Sequence, residues 1–132
     1  MSQDLYWLAL TLGLTALLSL PYVLNRIAVI GLMGAMANPA PGAKPMAAWA
    51  ARAQAAHANA VENLVMFAPA ALAVVASGKA NGMTATACAV YFFARLVHYV
   101  VYTAGIPVAR TLSWATGWAA TLALVARVLG LV

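Results

Sequence analysis

The stretch Arg52-Ala-Gln-Ala-Ala-His57-Ala-Asn59-Ala-Val-Glu62-Asn63 runs directly into the apolar residues 64–76. Glu62 is the only acidic residue after Asp4, and it lies in a segment long and apolar enough to cross a membrane. A charged side chain at the centre of a bilayer costs roughly 2.5 to 3.5 kcal/mol, so we expect this carboxylate to have a partner and a function.

Composition places the whole chain in a membrane. Apolar residues make up 66% of the 132 and charged residues 7%, whereas soluble domains have about 45–50% and about 25%. The net charge of +5 reflects 2 acidic against 7 scattered basic residues, with no basic cluster of the kind that binds nucleic acid. One cysteine and two histidines argue against a metal site, and we expect no metal.

The pattern of apolar runs and helix breakers predicts a single domain, residues 1–132, built as an all-α, four-helix membrane bundle. We expect spans at approximately 5–36, 46–77, 83–104 and 108–131, with Pro21 bending the first. A chain this small buries little surface alone, so oligomerisation is a reasonable expectation.

Loop charges indicate an orientation. Lys44 lies between spans one and two, and Arg110 follows the turn between spans three and four. Basic loops stay in the cytoplasm, which favours an orientation with both termini outside.

Three of the spans carry a polar stripe when plotted at about 100° per residue. The second carries Arg52, Asn59, Glu62 and Asn63, the third Tyr91, Arg95, His98, Tyr99 and Tyr102, and the fourth Arg110, Trp114, Gly117 and Thr121. Polar stripes in lipid must face protein or water. We therefore expect a cationic pocket with one carboxylate, suited to a small ligand with several carboxylates and one amine.

Structural roles are open for the same residues. Glu62 could form an ion pair with Arg95 or Arg110 that serves only helix packing. The tyrosines could be packing or interface residues, and Trp114 and Trp118 could face lipid. Asn59 could bond a neighbouring helix rather than a ligand.

The motifs resemble those of the MAPEG family, the membrane-associated proteins in eicosanoid and glutathione metabolism. The segment Arg52 to Asn63, followed by Phe67-x-Pro69, is similar to the family signature. Ala94-Arg95-Leu-Val-His98-x-x-x-Tyr102 and Pro107-x-x-Arg110 resemble its third helix and the start of its fourth. The similarity covers essentially the whole chain.

This resemblance implies a homotrimer in a membrane, expected to be a bacterial inner membrane, with glutathione bound between subunits. The implied catalytic residue is Arg110, beside the sulfur. Glutathione-binding candidates are Arg52, Asn59, Glu62, Arg95, His98 and Tyr102, with His98 and Tyr102 coming from the neighbouring subunit. Trp114 and Trp118 would line the path of a hydrophobic substrate arriving from lipid.

The function expected from the resemblance is that of a glutathione transferase or peroxidase. The chain has Ala55 and Ala58 where some relatives have arginines, so fewer cations would hold the glutathione carboxylates. The alternative is a non-catalytic lipid-binding or scaffold protein of the same fold. A third hypothesis is a small transporter, but the chain has few intramembrane charges of the kind that transporters use.

Overall fold

Helices hold 81% of the chain, and there is no strand. The structure is a computed structural model that describes all residues 1–132. Its helical segments are α1 (Gln3–Leu17), α2 (Leu20–Met36), α3 (Ala48–Ala76), α4 (Gly82–Ala104) and α5 (Pro107–Leu129). The first two form one bent span, so there are four helical units long and apolar enough to cross a membrane. This confirms the predicted all-α, four-span architecture.

The break between α1 and α2 follows from Pro21, which lies in the first turn of α2. Proline has no backbone N–H, so the carbonyl of Leu17 loses the donor it would have in a continuous helix. At the break, the carbonyl of Leu18 accepts a hydrogen bond of 3.0 Å from the Tyr99 hydroxyl of α4. A second bend, at Gly31 with φ of 78°, was not predicted.

Helices α4 and α5 form an antiparallel hairpin with a short connection. The Asn81 side chain and Thr84 form a capping box that begins α4. The helix ends at Gly105, whose φ of 82° is the left-handed conformation that glycine adopts without strain. Pro107 then begins α5, a position where its missing N–H costs nothing. The hairpin brings residues near Tyr102 close to those near Arg110.

Two buried clusters hold the bundle together. The first, here called the dry core, is Leu8, Phe67, Ala70, Ala71, Val74, Ala87, Cys88, Tyr91, Ala120 and Leu124. The second, the alanine layer, is Leu18, Ala53, Ala56, Ala60 and Tyr99. Small side chains allow helix backbones to approach closely, which is how helices associate in lipid. The alanine layer lies at the end where α5 begins, and the candidate site is at that end.

Candidate functional site

A polar cleft of about 330 Å³ opens where α3, α4 and the start of α5 meet. It is lined by Asn59, His98, Tyr102, Arg110, Thr111 and Trp114. All of these except Thr111 are candidates from the sequence. Thr111 was missed because a threonine in a helix has no distinctive pattern, and its only signal is its place next to Arg110.

Arg95 lies beneath the cleft wall rather than in it. Its side chain is only 3% exposed. Its Nη2 donates a hydrogen bond of 2.7 Å to Oδ1 of Asn59 and one of 3.3 Å to Nδ1 of His98. Arg95 therefore contacts two residues of the cleft wall, on α3 and on its own helix.

Asn59 is held from two sides. Besides Arg95, the side-chain amide of Asn63 donates to Oδ1 of Asn59 at 3.2 Å and to its backbone carbonyl at 2.8 Å. The sequence left open whether Asn59 bonds a neighbouring helix or faces a ligand. In the structure Asn59 both bonds a neighbouring helix and lines the cleft.

Arg110 is exposed at the cleft rim, in the first turns of α5. Its guanidinium carbon is 4.8 Å from the centroid of the Tyr102 ring, which attracts the cation through its π-face. The ring of His98 meets the edge of the same tyrosine at 5.5 Å. No side chain caps the start of α5, so the positive end of its dipole adds to the field at this rim.

Besides Arg95, two predicted ligand residues lie outside the cleft lining. Arg52 donates from Nε to the carbonyl of Thr103 at 2.9 Å and so satisfies a backbone group at the end of α4. Glu62 is exposed on α3. The suggested ion pair between Glu62 and Arg95 does not form within the chain, because Nη2 of Arg95 bonds Asn59 and His98 and its other nitrogens have no partner.

The two candidate tryptophans stack on each other. The rings of Trp114 and Trp118 have centroids 6.0 Å apart and an interplanar angle of 14°. Trp114 lines the cleft, and Trp118 continues the aromatic surface along α5, with 45% of its surface exposed. The pair forms an apolar ledge that leads from the cleft along the outside of the bundle.

A second depression, not expected from the sequence, lies between α4 and α5. This apolar groove has a volume of about 540 Å³, and its lining includes Val90, Phe93, Val97 and Leu112. The hydroxyls of Ser113 and Thr116 in its wall donate to carbonyls of their own helix. The groove therefore suits an acyl chain better than a polar ligand. No group of three His, Cys, Asp or Glu side chains is placed to hold a metal ion.

Comparisons with known proteins identify the chain at the level of a family. Neither the curated proteins nor the solved structures include a match. The model of the MAPEG family matches residues 5–130, nearly the entire chain. The helices and their length agree with this assignment. The protein therefore belongs to the MAPEG family and is an integral membrane protein.

Proposed function

We propose that the protein is a glutathione-dependent membrane transferase or peroxidase. Membership of the MAPEG family supports a membrane glutathione transferase or a related function in general. The observation that carries the specific proposal is Arg110, an exposed cation at the rim of a polar cleft, with the apolar Trp114 beside it. Such a rim can hold a charged sulfur next to a hydrophobic co-substrate.

The proposed chemistry depends on making a thiolate. A thiol is a weak nucleophile at neutral pH, and its anion is the reactive form. A guanidinium close to the sulfur, in a site of low dielectric constant, stabilises that anion. The Arg110 side chain has this role in the proposal, and the Tyr102 ring beneath it restricts where the cation can lie.

Two outcomes follow from one nucleophile. With an electrophilic carbon, the thiolate forms a carbon–sulfur bond and a group such as halide leaves with the bonding electrons. With a lipid hydroperoxide, the thiolate attacks the terminal oxygen, the O–O bond breaks and the leaving alkoxide takes a proton to become an alcohol. The resulting glutathione sulfenic acid then reacts with a second glutathione to give the disulfide and water.

Residues around the cleft would hold the glutathione peptide. In the proposal Asn59, His98 and Tyr102 of one protomer contact it directly, whereas the resemblance implied His98 and Tyr102 of a neighbouring subunit. Glu62 takes its ammonium group. Glu62 lies one helical turn from Asn59 on α3, close enough for a tripeptide to span both. Arg52 and Arg95, whose guanidinium groups bond other residues, would act on the ligand through charge or through those partners.

The hydrophobic substrate would enter from the bilayer along the ledge of Trp114 and Trp118. Both rings are partly exposed on the outside of the protomer, where lipid or a lipid-soluble compound can reach them. Aromatic faces give a large apolar contact without fixing one substrate. We therefore expect the substrates to be a broad class of apolar electrophiles or lipid hydroperoxides.

A homotrimer is part of the proposal. An isolated protomer exposes the charged Glu62 within a membrane span, which is costly in lipid. A neighbouring subunit beside α3 would remove that cost and close the cleft. Native mass spectrometry of the solubilised protein tests this, since a monomer would contradict it. We also propose a bacterial inner membrane with both termini outside, which reporter fusions at each terminus would test.

The activity is tested by turnover. Protein in detergent or proteoliposomes, mixed with glutathione and either a reactive aryl halide or a lipid hydroperoxide, is expected to form the conjugate or the alcohol. Arg110→Ala should lower the rate by about 10²- to 10³-fold, the range for losing one group that stabilises a charged transition state. The matched control is Arg127→Ala, because Arg127 bonds backbone carbonyls of Lys79 and Val132 at the other end of the bundle.

One observation favours the alternative function, a non-catalytic lipid-binding protein: the apolar groove between α4 and α5. Ligand-induced stabilisation separates the two functions. A ligand present at about 100 times its dissociation constant stabilises a protein by about 2.7 kcal/mol. Stabilisation by a fatty acid but not by glutathione, with no turnover, would favour the lipid-binding protein and contradict the enzyme.

A further inference from the structure

The buried Arg95 restricts what its partners can offer a ligand. A guanidinium has hydrogen-bond donors only, so every atom it bonds must be an acceptor. The two hydrogens of Nη2 match two acceptors, Oδ1 of Asn59 at 2.7 Å and Nδ1 of His98 at 3.3 Å. This settles the orientation of an amide and the tautomer of an imidazole, which are otherwise ambiguous.

The amide of Asn59 is oriented with its oxygen away from the ligand space. Its Oδ1 accepts from Arg95 and also from the side-chain amide of Asn63, at 3.2 Å. Two donors use both lone pairs of that oxygen. What Asn59 has left for the cleft, which it lines, is its NH₂ group, a donor.

The imidazole of His98 is restricted in the same way. Because Nδ1 accepts from Arg95, a neutral ring must carry its hydrogen on Nε2. His98 lines the cleft although it is only 2% exposed, so a small part of the ring faces the ligand space. Nε2–H is the polar group available to a ligand, and it too is a donor.

We propose that Arg95 sets the polarity of the cleft: it makes Asn59 and His98 donors only, so that this wall takes the acceptor groups of a ligand, such as a carboxylate, a peptide carbonyl or a thiolate, and rejects an ammonium. This inference rests on the proposed function for the identity of the ligand. Under that function, the carboxylates, the peptide carbonyls or the thiolate of glutathione meet this wall. The cationic Arg110 on the same cleft extends the donor surface.

Arg95 is then a positioning residue that touches no ligand. Its charge and donors reach the cleft through Asn59 and His98, one on α3 and one on α4. A wall of donors also requires that the amine of glutathione bind elsewhere. The exposed Glu62, which is outside the cleft lining, is available for that group.

The direct test is the tautomer of His98 in the ligand-free protein. Histidine labelled with ¹⁵N gives different nitrogen shifts for the two neutral tautomers, and spectra recorded in alkaline buffer report the neutral ring. The chain has only two histidines. His57 is an internal reference because its Nδ1 lies 2.8 Å from the Tyr22 hydroxyl and is not bonded to Arg95. That hydroxyl can donate or accept, so it does not fix the tautomer of His57.

The expected spectrum shows His98 as a single Nε2–H tautomer in the wild type. Arg95→Met should change the His98 shifts and leave those of His57 unchanged. A wild-type His98 with its hydrogen on Nδ1 would overturn the proposal. The wild-type spectrum requires neither a stable variant nor bound glutathione, so its result does not depend on whether the proposed function is correct.

A second test uses the near-identical shapes of asparagine and aspartate. Asn59→Asp keeps an oxygen for Arg95 and replaces the donor facing the cleft with an acceptor, so affinity for glutathione should fall about tenfold or more. The control is Asn25→Asp, because Oδ1 of Asn25 already accepts from the backbone N–H of Ala47 and aspartate preserves that bond. Unchanged affinity in Asn59→Asp would mean that Asn59 offers the ligand no donor and would overturn the proposal.

Discussion

The two ends of the bundle use helix α4 in different ways. At the end near Gly82, Cys88 and Tyr91 belong to the dry core, where the Tyr91 ring stacks on Phe67 with centroids 3.6 Å apart. Towards the other end, from one turn further along α4, Arg95 bonds His98 and Asn59 of the cleft wall. One helix therefore contributes apolar packing at one end and a hydrogen-bond network at the other.

The half of the bundle with the dry core and the half with the cleft, here called the dry half and the cleft half, differ in how their polar side chains are bonded. In the dry half the Tyr91 hydroxyl and Oδ1 of Asp4 have no hydrogen-bond partner in the protein. In the cleft half Nε and Nη1 of Arg95 and Oγ1 of Thr103 also lack a partner, but Asn59 accepts from two residues and Arg110 lies over an aromatic ring. We expect the dry half to determine stability and, in the proposed function, the cleft half to determine ligand binding, and substitutions in each half test this division.

The largest expected effect is on stability at the dry end. Phe67→Ala removes a fully buried ring and should lower the free energy of unfolding by about 3 to 5 kcal/mol. Unfolding of the protein in micelles or bicelles measures this, and the folded fraction should keep its affinity for glutathione. The control is Phe93→Ala, whose ring is 53% exposed and which should cost much less. Equal losses in both variants would contradict the existence of a packed core here.

The chain's two acids compare the two ends in ligand binding. Glu62→Gln should weaken glutathione binding about tenfold, the scale of one charge-assisted hydrogen bond. Asp4→Asn, a change of the same kind at the dry end where Asp4 is 3% exposed, should leave it unchanged. Glutathione acetylated on its amine should bind wild type and Glu62→Gln equally. If Glu62→Gln binds glutathione as the wild type does, Glu62 has no role in holding the amine.

The smallest effect comes from a matched pair of tyrosines. Tyr99→Phe removes the hydrogen bond to the Leu18 carbonyl and should lower the free energy of unfolding by about 1 kcal/mol. Tyr91→Phe removes a hydroxyl that has no partner, so it should be neutral or stabilising. Unfolding curves of the two variants measure this difference. A reversed order would mean that the Tyr91 hydroxyl has a partner, such as a buried water molecule.

The sequence predicted the architecture well because span lengths and bends depend on residues that are close together in the chain. Span lengths follow from apolar runs, and the bend near Pro21 follows from a missing N–H. The bend at Gly31 was missed, since a glycine in an apolar helix permits a left-handed conformation without requiring it. The burial of Asp4 was missed as well, because an acid near a terminus is ordinarily placed at the interface.

The site was predicted less completely. Helical spacing placed Asn59 and Glu62 in one stripe, but the structure brings Asn59 to Arg95 and leaves Glu62 exposed. Helical spacing predicts the direction in which a side chain points, but it does not predict which helix packs over that side chain. The bond from Arg52 to the Thr103 carbonyl joins residues 51 positions apart and depends on the turn at Gly105, which no local pattern specifies.

In the proposed function Arg110 at the cleft rim stabilises the glutathione thiolate, and the ultraviolet absorbance band of that thiolate measures this stabilisation directly. Glutathione is titrated into the wild type and Arg110→Ala, with binding in each followed separately by equilibrium dialysis of labelled glutathione. We predict that the band grows to saturation in the wild type and is lost in Arg110→Ala while glutathione remains bound. Bound glutathione without the band in the wild type, or an undiminished band in Arg110→Ala, would contradict the account.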